Sequence, residues 1–207
     1  MTCVLVASSN PGKLADFAAA ARVFEIEIAP LPGIKQIRPP EETGTTFQEN
    51  ARLKAEYYSR HAPDQLLIAD DSGLVVDALG GEPGVRSARY AEDAGISTPD
   101  PDAANNALLL RNAERIPEAQ RQCAFVCAIA AAHNGSTLDT FTARANGMLL
   151  REARGDNGFG YDPLFYFPQL SKSFAELSRE EKLKVSHRGA AFRMFLEWMN
   201  ARNQAHV

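Results

Sequence analysis

The amino-acid sequence predicts a mixed α/β fold, and two observations carry that prediction. An apolar run at residues 3–7 leads through a turn at 8–13 into apolar residues at helical spacing over 12–23. A strand, a turn and an amphipathic helix in this order are typical of α/β folds. Farther along the chain, residues 121–133 and 136–151 are two longer β-like segments. The chain therefore carries both crossover and hairpin signals.

The first part of the chain continues with a second strand and a second helix. Residues 24–30, FEIEIAP, alternate apolar and polar side chains as a strand does, and the proline-rich residues 30–44 predict a loop. Thr46 followed by Glu49 is a capping-box pattern. A helix is therefore expected to begin there and to run to about His61.

The middle of the chain predicts a hairpin, a loop and a helix. Two β-like runs, 66–70 and 74–79, lie on either side of an Asp-Ser-Gly sequence and suggest a hairpin. The glycine-rich residues 80–90 predict a loop. Residues 102–116 predict a helix that ends at Pro117.

The last part of the chain predicts a loop, a short strand and two helices. Residues 155–163 read as a loop, and LFYF at 164–167 as a strand. Ser178 and Glu181 form a second capping box before a short helix, and Ser186 can cap a final one. The apolar side of the final helix comprises Ala190, Phe192, Phe195, Leu196 and Met199.

Length and charge limit the classes of function. The chain has 207 residues, which suits one domain over residues 1–207. Its net charge is -4, whereas a general binder of nucleic acids is usually basic. No nucleic-acid polymer is therefore expected as a partner.

The cysteines and the N-terminus bear on the compartment. Cys3, Cys123 and Cys127 form neither a disulfide framework nor a close metal-binding pattern, which favours a reducing environment. The N-terminal residues lack a signal-peptide pattern, and no run approaches the ~20 apolar residues of a membrane span. These patterns predict a cytoplasmic protein without membrane contact.

The turn SSNPGK, residues 8–13, is the first candidate site. A turn between a strand and a helix N-terminus presents free backbone N–H groups and the positive end of the helix dipole, and Lys13 adds a charge. This chemistry suits a phosphate. The turn is not a P-loop, because Ala7 stands where that motif needs glycine and Leu14 replaces its Ser or Thr. An ordinary turn with a solvated lysine is the alternative.

Two adjacent carboxylates, Asp70 and Asp71, form the second candidate site. Neighbouring residues of a strand face opposite sides, so the two acids need not share one site. A buried carboxylate stays ionised only beside water, a cation or donors. Either Asp71 heads a turn with Gly73 at positive φ, or one of the acids binds a divalent metal or activates water. The residues alone leave both interpretations open.

Three glutamates in and after the proline-rich loop form the third group. Glu49 has a role as the capping-box acid, whereas Glu41 and Glu42 precede that helix. Magnesium sites draw one or two carboxylates from separate segments. The sequence does not show whether these glutamates meet Asp71.

Two loops near the C-terminus carry the remaining candidates. In GFGYDP, Phe159 could stack on a purine ring, and Asp162 could accept from a ring or exocyclic N–H. In SHRG, His187 and Arg188 stand at a helix start, where a cation is unfavourable unless an anion or a ring carbonyl lies nearby. The alternatives are a plain loop and side chains in water; Lys182 has the same two interpretations.

Together these stretches resemble the inosine triphosphate pyrophosphatase family, also described as dITP/XTP pyrophosphatases. Five blocks in order carry the resemblance: S-x-N-P-G-K, E-E-T-G-x-T-F-x-E-N-A-x-x-K-A, I-A-D-D-S-G-L-x-V-D-A-L-G-G-x-P-G-x-x-S-A-R-Y, G-F-G-Y-D-P-x-F and E-E-K-x-x-x-S-H-R-G. The similarity runs from residue 4 to about residue 195.

The resemblance implies a fold and an activity. The fold would have an elongated, twisted central sheet flanked by helices, with two lobes and an active-site cleft between them. The enzyme would be a homodimer that needs Mg²⁺. It would hydrolyse non-standard purine nucleoside triphosphates (ITP, dITP and XTP) to the monophosphate and pyrophosphate, cleansing the nucleotide pool.

The resemblance also implies roles for individual residues. Asp71 would be the proton acceptor and, with Glu42, a metal ligand, and Lys13 would act on the triphosphate as the second catalytic residue. The residues that would bind the substrate are Ser8, Ser9, Asn10, Pro11, Gly12, Lys13, Ser72, Phe159, Gly160, Tyr161, Asp162, Lys182, His187 and Arg188. Many members have Thr-Gly or Thr-Asn at positions 8 and 9, so the backbone freedom of a glycine is absent here.

General chemistry agrees with this resemblance and leaves three alternatives. Phosphoryl transfer needs charge neutralisation, which lysine and magnesium supply, and donors facing a purine 6-oxo group would reject adenine. One alternative is a pyrophosphatase for other modified nucleotides, such as methylated pyrimidines. The others are a magnesium-dependent phosphatase and a nucleotide sensor without turnover.

Overall fold

A computed structural model describes residues 3–21, 24 and 26–205 of the chain. Within them, the chain forms seven strands and six α-helices. The strands are β1 (Cys3–Val6), β2 (Glu27–Pro30), β3 (Leu67–Val76), β4 (Gln122–His133), β5 (Ser136–Leu149), β6 (Phe165–Phe167) and β7 (Lys172–Ser173). The helices are α1 (Pro11–Ala21), α2 (Phe47–Ser59), α3 (Tyr90–Asp93), α4 (Pro101–Asn112), α5 (Arg179–Val185) and α6 (His187–Ala205).

The seven strands form one mixed sheet in the order β2-β1-β3-β4-β5-β6-β7. Strand β1 pairs in parallel with β2 on one side and with β3 on the other. Strands β5, β6 and β7 pair antiparallel. The predicted mixed α/β fold is therefore confirmed.

The chain divides into two compact units. The first unit comprises residues 1–71, 127–143 and 187–207, and the second comprises 72–126 and 144–186. The single domain over residues 1–207 stays a prediction.

The core of the first unit covers both faces of its parallel strands. Val4, Val6 and Ile68 pack in one cluster with side chains of α1 and α6, including Phe17 and Phe192. The alternate strand residues Leu5 and Leu67 pack in a second cluster with Leu31, Tyr58 and Ala62. Parallel strands buried on both faces read as continuous apolar runs, which explains why CVLVA and LLIA lack alternation.

The core of the second unit is a separate cluster that contains several aromatic side chains. Phe125, Phe165 and Phe174 are mutually in contact, with ring centroids 4.5 to 5.8 Å apart. Arg121 is only 1% exposed beside this core. Its guanidinium donates to the carbonyl oxygens of Ala113, Leu149 and Leu150 at 2.7, 2.8 and 2.9 Å. One side chain thereby binds three carbonyls at the end of β5 and after α4, of which that of Ala113 also accepts from the Ile116 N–H at 3.1 Å.

Most predicted elements are confirmed, because their signals are local. Both capping boxes, at Thr46 and at Ser178, are present and open α2 and α5. The segments 121–133 and 136–151 are observed as β4 and β5. The helix predicted over 102–116 ends earlier, at Asn112, and the loop predicted over 80–90 contains the 3₁₀ turn Gly84–Arg89.

Two predicted elements near the N-terminus are observed in part. The helix predicted over 12–23 is α1, and the strand predicted over 24–30 is β2. Residues 22, 23 and 25 of these predictions lie outside the described residues.

The predicted hairpin around Asp-Ser-Gly is wrong. Residues 67–76 form one uninterrupted strand, β3, and Gly73 lies within it. A Cβ on Gly73 would lie within 2.5 Å of the carbonyl oxygen of Gly84 and would also collide with Ser87. Ser87 Oγ accepts a hydrogen bond from the Leu74 N–H at 3.0 Å. Gly73 therefore serves close packing of the 3₁₀ turn against the strand.

None of the described helices combines the length and the apolar character needed to cross a membrane.

Candidate active site

The acidic pair lies where the parallel strands of the first unit end. Val6, the last residue of β1, pairs with Ile68 of β3, and β3 continues past that point. Asp70 and Asp71 therefore extend beyond the carboxyl end of β1, where the turn 8–13 also begins. In open α/β sheets, ligands bind outside the carboxyl ends of the parallel strands.

Asp70 is a buried carboxylate held between two cations. Its Oδ2 atom lies 2.9 Å from Lys13 Nζ and 3.7 Å from Arg188 Nε. Burial by itself raises the pKa of Asp70, but the charges of Lys13, Arg188 and Lys54 outweigh it and hold that pKa well below its usual range. Asp70 thus stays ionised and joins the turn to the start of α6.

Arg188 has a second carboxylate partner. Its Nη1 atom lies 3.4 Å from Asp16 Oδ2, and the arginine is 4% exposed. The predicted helix start at residue 187 is confirmed, since α6 begins there. The anions that offset a cation at this position are Asp16 and Asp70.

Asp71 belongs to a different set of contacts from its neighbour. Its Oδ1 atom lies 2.6 Å from Lys54 Nζ, and its Oδ2 atom accepts from Asn50 Nδ2 at 3.4 Å. Glu42 Oε1 also contacts Lys54 Nζ, at 2.9 Å. The expectation that Asp70 and Asp71 face opposite sides is confirmed by these separate partners.

The pKa values of Asp71 and Lys54 are both raised. Burial raises the pKa of Asp71, and the ammonium of Lys54 only partly offsets that effect. Burial lowers the pKa of Lys54, but Asp71, Asp70 and Glu42 raise it above its usual value. Both directions fit one ammonium shared by more than one carboxylate.

The residues present fit a magnesium ion. Glu42 and Asp71 come from separate segments, and both contact the ammonium of Lys54. Magnesium commonly takes one or two carboxylates together with water and substrate phosphates. Among the described residues, no three His, Cys, Asp or Glu side chains form a complete metal cage. The donor set suits an ion that arrives with a phosphate ligand.

Residues that the sequence did not single out complete the site. Asn50 and Lys54 lie four positions apart on α2, and both contact Asp71. Asn50 Oδ1 also accepts from the Gly44 N–H at 2.8 Å, which fixes the loop that carries Glu42. The signal that could have found them is their spacing, because residues four apart share a helix face.

The turn 8–13 differs from its predicted form. Asn10 Oδ1 accepts from the N–H groups of Gly12 at 2.8 Å and Lys13 at 3.2 Å, and Ser8 Oγ accepts from the Asn10 N–H at 3.2 Å. Asn10 thus caps α1, with Pro11 as the first helical residue. The prediction of free N–H groups is wrong at Gly12 and Lys13, so the case for an anion site in this turn depends on the ammonium of Lys13.

Three further residues predicted to bind the substrate differ in their exposure. Ser9 is exposed in the turn, and Ser72 follows Asp71 in β3 and is half-buried. His187 opens α6 and is 3% exposed.

The second unit brings Phe159, Asp162 and Lys182 together. Asp162 Oδ2 accepts from the Phe159 N–H at 2.9 Å and forms a short ion pair with Lys182 Nζ. Lys182 Nζ also lies 5.1 Å from the centroid of the Phe159 ring. Asp162 is 2% exposed. Because its carboxylate binds both the Phe159 N–H and Lys182, it joins the loop to the lysine.

Gly160 and Tyr161 are fixed by their own partners. The Gly160 N–H donates to Asp102 Oδ2 at 2.7 Å, and its carbonyl oxygen accepts from Asn106 Nδ2 at 2.9 Å. The Tyr161 hydroxyl donates to the carbonyl oxygen of Ser87 at 2.9 Å, and burial raises the pKa of that hydroxyl. Tyr161 is 4% exposed and packs in the core of its unit.

Comparisons with known proteins give the same family that the five blocks resemble. The Ham1 family model matches residues 4–198. A protein of Acidobacterium capsulatum named dITP/XTP pyrophosphatase is 52% identical over 194 residues, covering 92% of this chain and 95% of that protein. A protein of the same name from Bacillus cereus is 44% identical, covering 95% and 94%.

Solved structures agree with the sequence relatives. The Staphylococcus aureus Ham1 protein has a TM-score of 0.81 at 37% identity, covering 97% of this chain and all of that one. A HAM1 protein from Coxiella burnetii has a TM-score of 0.82 at 35% identity, with 97% of this chain covered. The family predicted from the motifs is confirmed: this chain belongs to the Ham1 family.

Proposed function

We propose that this chain hydrolyses non-standard purine nucleoside triphosphates (ITP, dITP and XTP) to the nucleoside monophosphate and pyrophosphate, with Mg²⁺. One observation carries the proposal. Asp71 and Glu42 both contact the ammonium of Lys54 at the carboxyl edge of the parallel strands. Relatives named dITP/XTP pyrophosphatase support the substrate class. As a member of this family, the chain is a hydrolase of nucleoside triphosphates.

Asp71 is the group best suited to accept a proton from water. It is a buried carboxylate beyond the carboxyl end of β1, and a positioned carboxylate can take a proton from water. Lys54 and Asn50 hold its two oxygens, so its orientation is set before the substrate binds. Lys54 and Asn50 act as positioning residues in this proposal.

Lys13 is the group best suited to the triphosphate. Asp70 holds its ammonium at 2.9 Å, and the positive end of α1 lies in the same turn. A positioned positive charge stabilises the charge that develops on phosphate oxygens. Asp70 is thereby a positioning residue that serves Lys13 and Arg188 together.

Asp71 and Glu42 are the residues that would hold magnesium. When bound with the triphosphate, the ion neutralises phosphate charge and lowers the pKa of coordinated water. The ammonium of Lys54 contacts both carboxylates and is the nearest competing cation.

The choice between purine bases is proposed to depend on the hydrogen-bond donors of His187 and Arg188 and on the Phe159 ring. Arg188 and His187 at the start of α6 can donate to a purine 6-oxo group, whereas the 6-amino group of adenine is itself a donor and offers them no acceptor. Within the second unit, taken by itself, Phe159 lies beside Lys182 and Asp162 and offers a ring of the kind on which a purine stacks. The roles of Ser8, Ser9, Ser72 and Tyr161 toward substrate stay predictions from the resemblance.

The substrate profile tests this proposal. Purified protein is incubated with ITP, XTP, GTP, ATP and a methylated pyrimidine triphosphate, with and without Mg²⁺, and pyrophosphate and orthophosphate are both measured. We expect pyrophosphate from ITP and XTP only with Mg²⁺, and kcat/KM for ATP lower by roughly a hundredfold or more.

Each alternative has its own result in the same assay. Orthophosphate as the main product identifies a phosphatase, and preference for the pyrimidine identifies a different modified nucleotide as substrate. Tight binding of ITP without any product identifies a sensor. Any of these three results contradicts the proposal.

The cytoplasmic location, the homodimer and the absence of a nucleic-acid polymer among the partners stay predictions. They rest on sequence composition and on the family resemblance. Analytical ultracentrifugation checks the homodimer directly.

A further inference from the structure

We propose that Asp102 and Asn106 of α4 are positioning residues for binding of the nucleobase, because they fix the loop that presents Phe159. The inference rests on the proposed function for the identity of the ligand. Neither residue belongs to any of the five motif blocks. Both lie in the second unit with the loop that they hold.

The contact between α4 and the loop is made at one residue. Asp102 Oδ2 accepts from the Gly160 N–H at 2.7 Å, and Asn106 Nδ2 donates to the Gly160 carbonyl oxygen at 2.9 Å. Asp102 and Asn106 are four positions apart, so they project from one side of the helix. Both backbone polar groups of Gly160 are therefore bound by one helix face.

The loop needs such a contact because its backbone is unusual. Gly158 and Gly160 both adopt positive φ, at +82° and +62°, on either side of Phe159. Glycine is the residue that loses most conformational freedom on ordering, so a loop with two glycines is costly to hold in one shape. The N–H of Phe159 is bound by Asp162 at 2.9 Å, and the Asn157 N–H donates to the Ala175 carbonyl oxygen at 3.0 Å, so the contacts of Gly160 with α4 add an attachment on the C-terminal side of the ring.

The position of the Phe159 ring depends on these attachments. The ring lies under the ammonium of Lys182, and Asp162 holds that ammonium. A stacking surface binds a base well only if it is ordered before binding, since otherwise part of the interaction free energy is spent on ordering the loop. Loss of the Gly160 contacts should weaken substrate binding and leave the chemical step at Asp71 intact.

A negative charge at the start of α4 also has an ordinary structural role. Asp102 lies in the first turn of α4, where an acid is favoured by the helix dipole. Asp100 has the same kind of role, since its side chain caps α4 by accepting from the Ala103 N–H at 3.0 Å. Asp100 is therefore the matched control for effects that act only through helix stability.

Four variants separate the two roles: Asp102→Ala, Asp102→Asn, Asn106→Ala and the control Asp100→Ala. We expect Asp102→Ala and Asn106→Ala to raise KM for ITP and for XTP by about tenfold, with kcat changed less than about twofold. Asp102→Asn keeps an acceptor oxygen for the Gly160 N–H and should retain a KM near that of the unaltered protein. Asp100→Ala should lower the melting temperature without changing KM.

Amide hydrogen exchange gives a readout that does not need activity. Exchange at Gly160 should be about tenfold faster in Asp102→Ala than in the unaltered protein and unchanged in Asp100→Ala. An unchanged KM together with unchanged exchange in Asp102→Ala overturns the inference. An equal rise in KM in Asp100→Ala also overturns it, because the effect would then come from helix stability.

The two proposals fail in different ways. If the unaltered protein neither binds nor hydrolyses ITP or XTP, the proposed function fails, while faster exchange at Gly160 still supports the positioning of the loop. If the unaltered protein hydrolyses ITP and the Asp102→Ala variant matches it in KM and exchange, only the positioning role fails.

Discussion

Asp71→Asn is expected to lower kcat for ITP by roughly a thousandfold while the fold stays intact. Asparagine keeps the size of the side chain and a hydrogen-bond acceptor, but it cannot take a proton from water. It also removes one carboxylate from the pair that shares Lys54 Nζ. Steady-state kinetics with ITP and Mg²⁺ measure the loss, and circular dichroism checks the fold.

A matched control excludes a general effect of the substitution. Asp139 is exposed in β5, so Asp139→Asn makes the same chemical change away from the candidate site. We expect its kcat and KM to equal those of the unaltered protein. Near-normal turnover in Asp71→Asn would show that another group accepts the proton.

Arg121→Met is expected to lower the free energy of unfolding by roughly 2–4 kcal/mol. Methionine fills much of the same volume but donates no hydrogen bonds. The carbonyl oxygens of Leu149 and Leu150 would then lose this donor, whereas the carbonyl oxygen of Ala113 keeps its bond from the Ile116 N–H at 3.1 Å. Each buried carbonyl left without a donor costs about 1–3 kcal/mol. Urea or thermal unfolding measures the change.

Arg115→Met is the control for the loss of a positive charge. Arg115 is exposed close to the same helix end, so the expected change is within about 0.5 kcal/mol. A stability loss in Arg121→Met no larger than that of the control would show that the buried guanidinium contributes little. Since Arg121 lies in a core apart from Asp71, residual folded protein should keep its activity toward ITP.

Most predictions that depend on local signals were confirmed. The two capping boxes place the starts of α2 and α5 because the bonds join residues three apart in sequence. The apolar runs place β1 and β4 for a similar reason, since a strand that is mostly buried needs no distant information to be recognised. The Asn10 cap of α1 was equally local, and its Asn-Pro pattern could have been recognised.

Features that depend on distant contacts were not predictable from one sequence. Gly73 suggests a turn by composition, but its actual role is to admit the backbone of Gly84. Arg121 looks like an ordinary surface arginine until the end of β5 is placed beside it. Lys54 became part of the site only when α2 was packed against β3, because Asp71 lies 17 positions away along the chain.

The candidate site shows the same division. The motif blocks identified Lys13, Asp71 and Glu42, since their residue types suit phosphate and metal chemistry. The residues that orient them, Asn50 and Lys54, belong to the second motif block, but their role is recognised only by their contacts with Asp71. Sequence patterns therefore found the groups proposed to react, and the structure added the groups that hold them.

The position of attack on the triphosphate is tested most directly by hydrolysing ITP with Mg²⁺ in water labelled with ¹⁸O. Mass spectrometry or phosphorus NMR then locates the label in the products. If water attacks the α-phosphorus, the label enters inosine monophosphate and the pyrophosphate stays unlabelled. Label in pyrophosphate or in orthophosphate would place the attack at the β- or γ-phosphorus and would contradict the proposed pyrophosphatase.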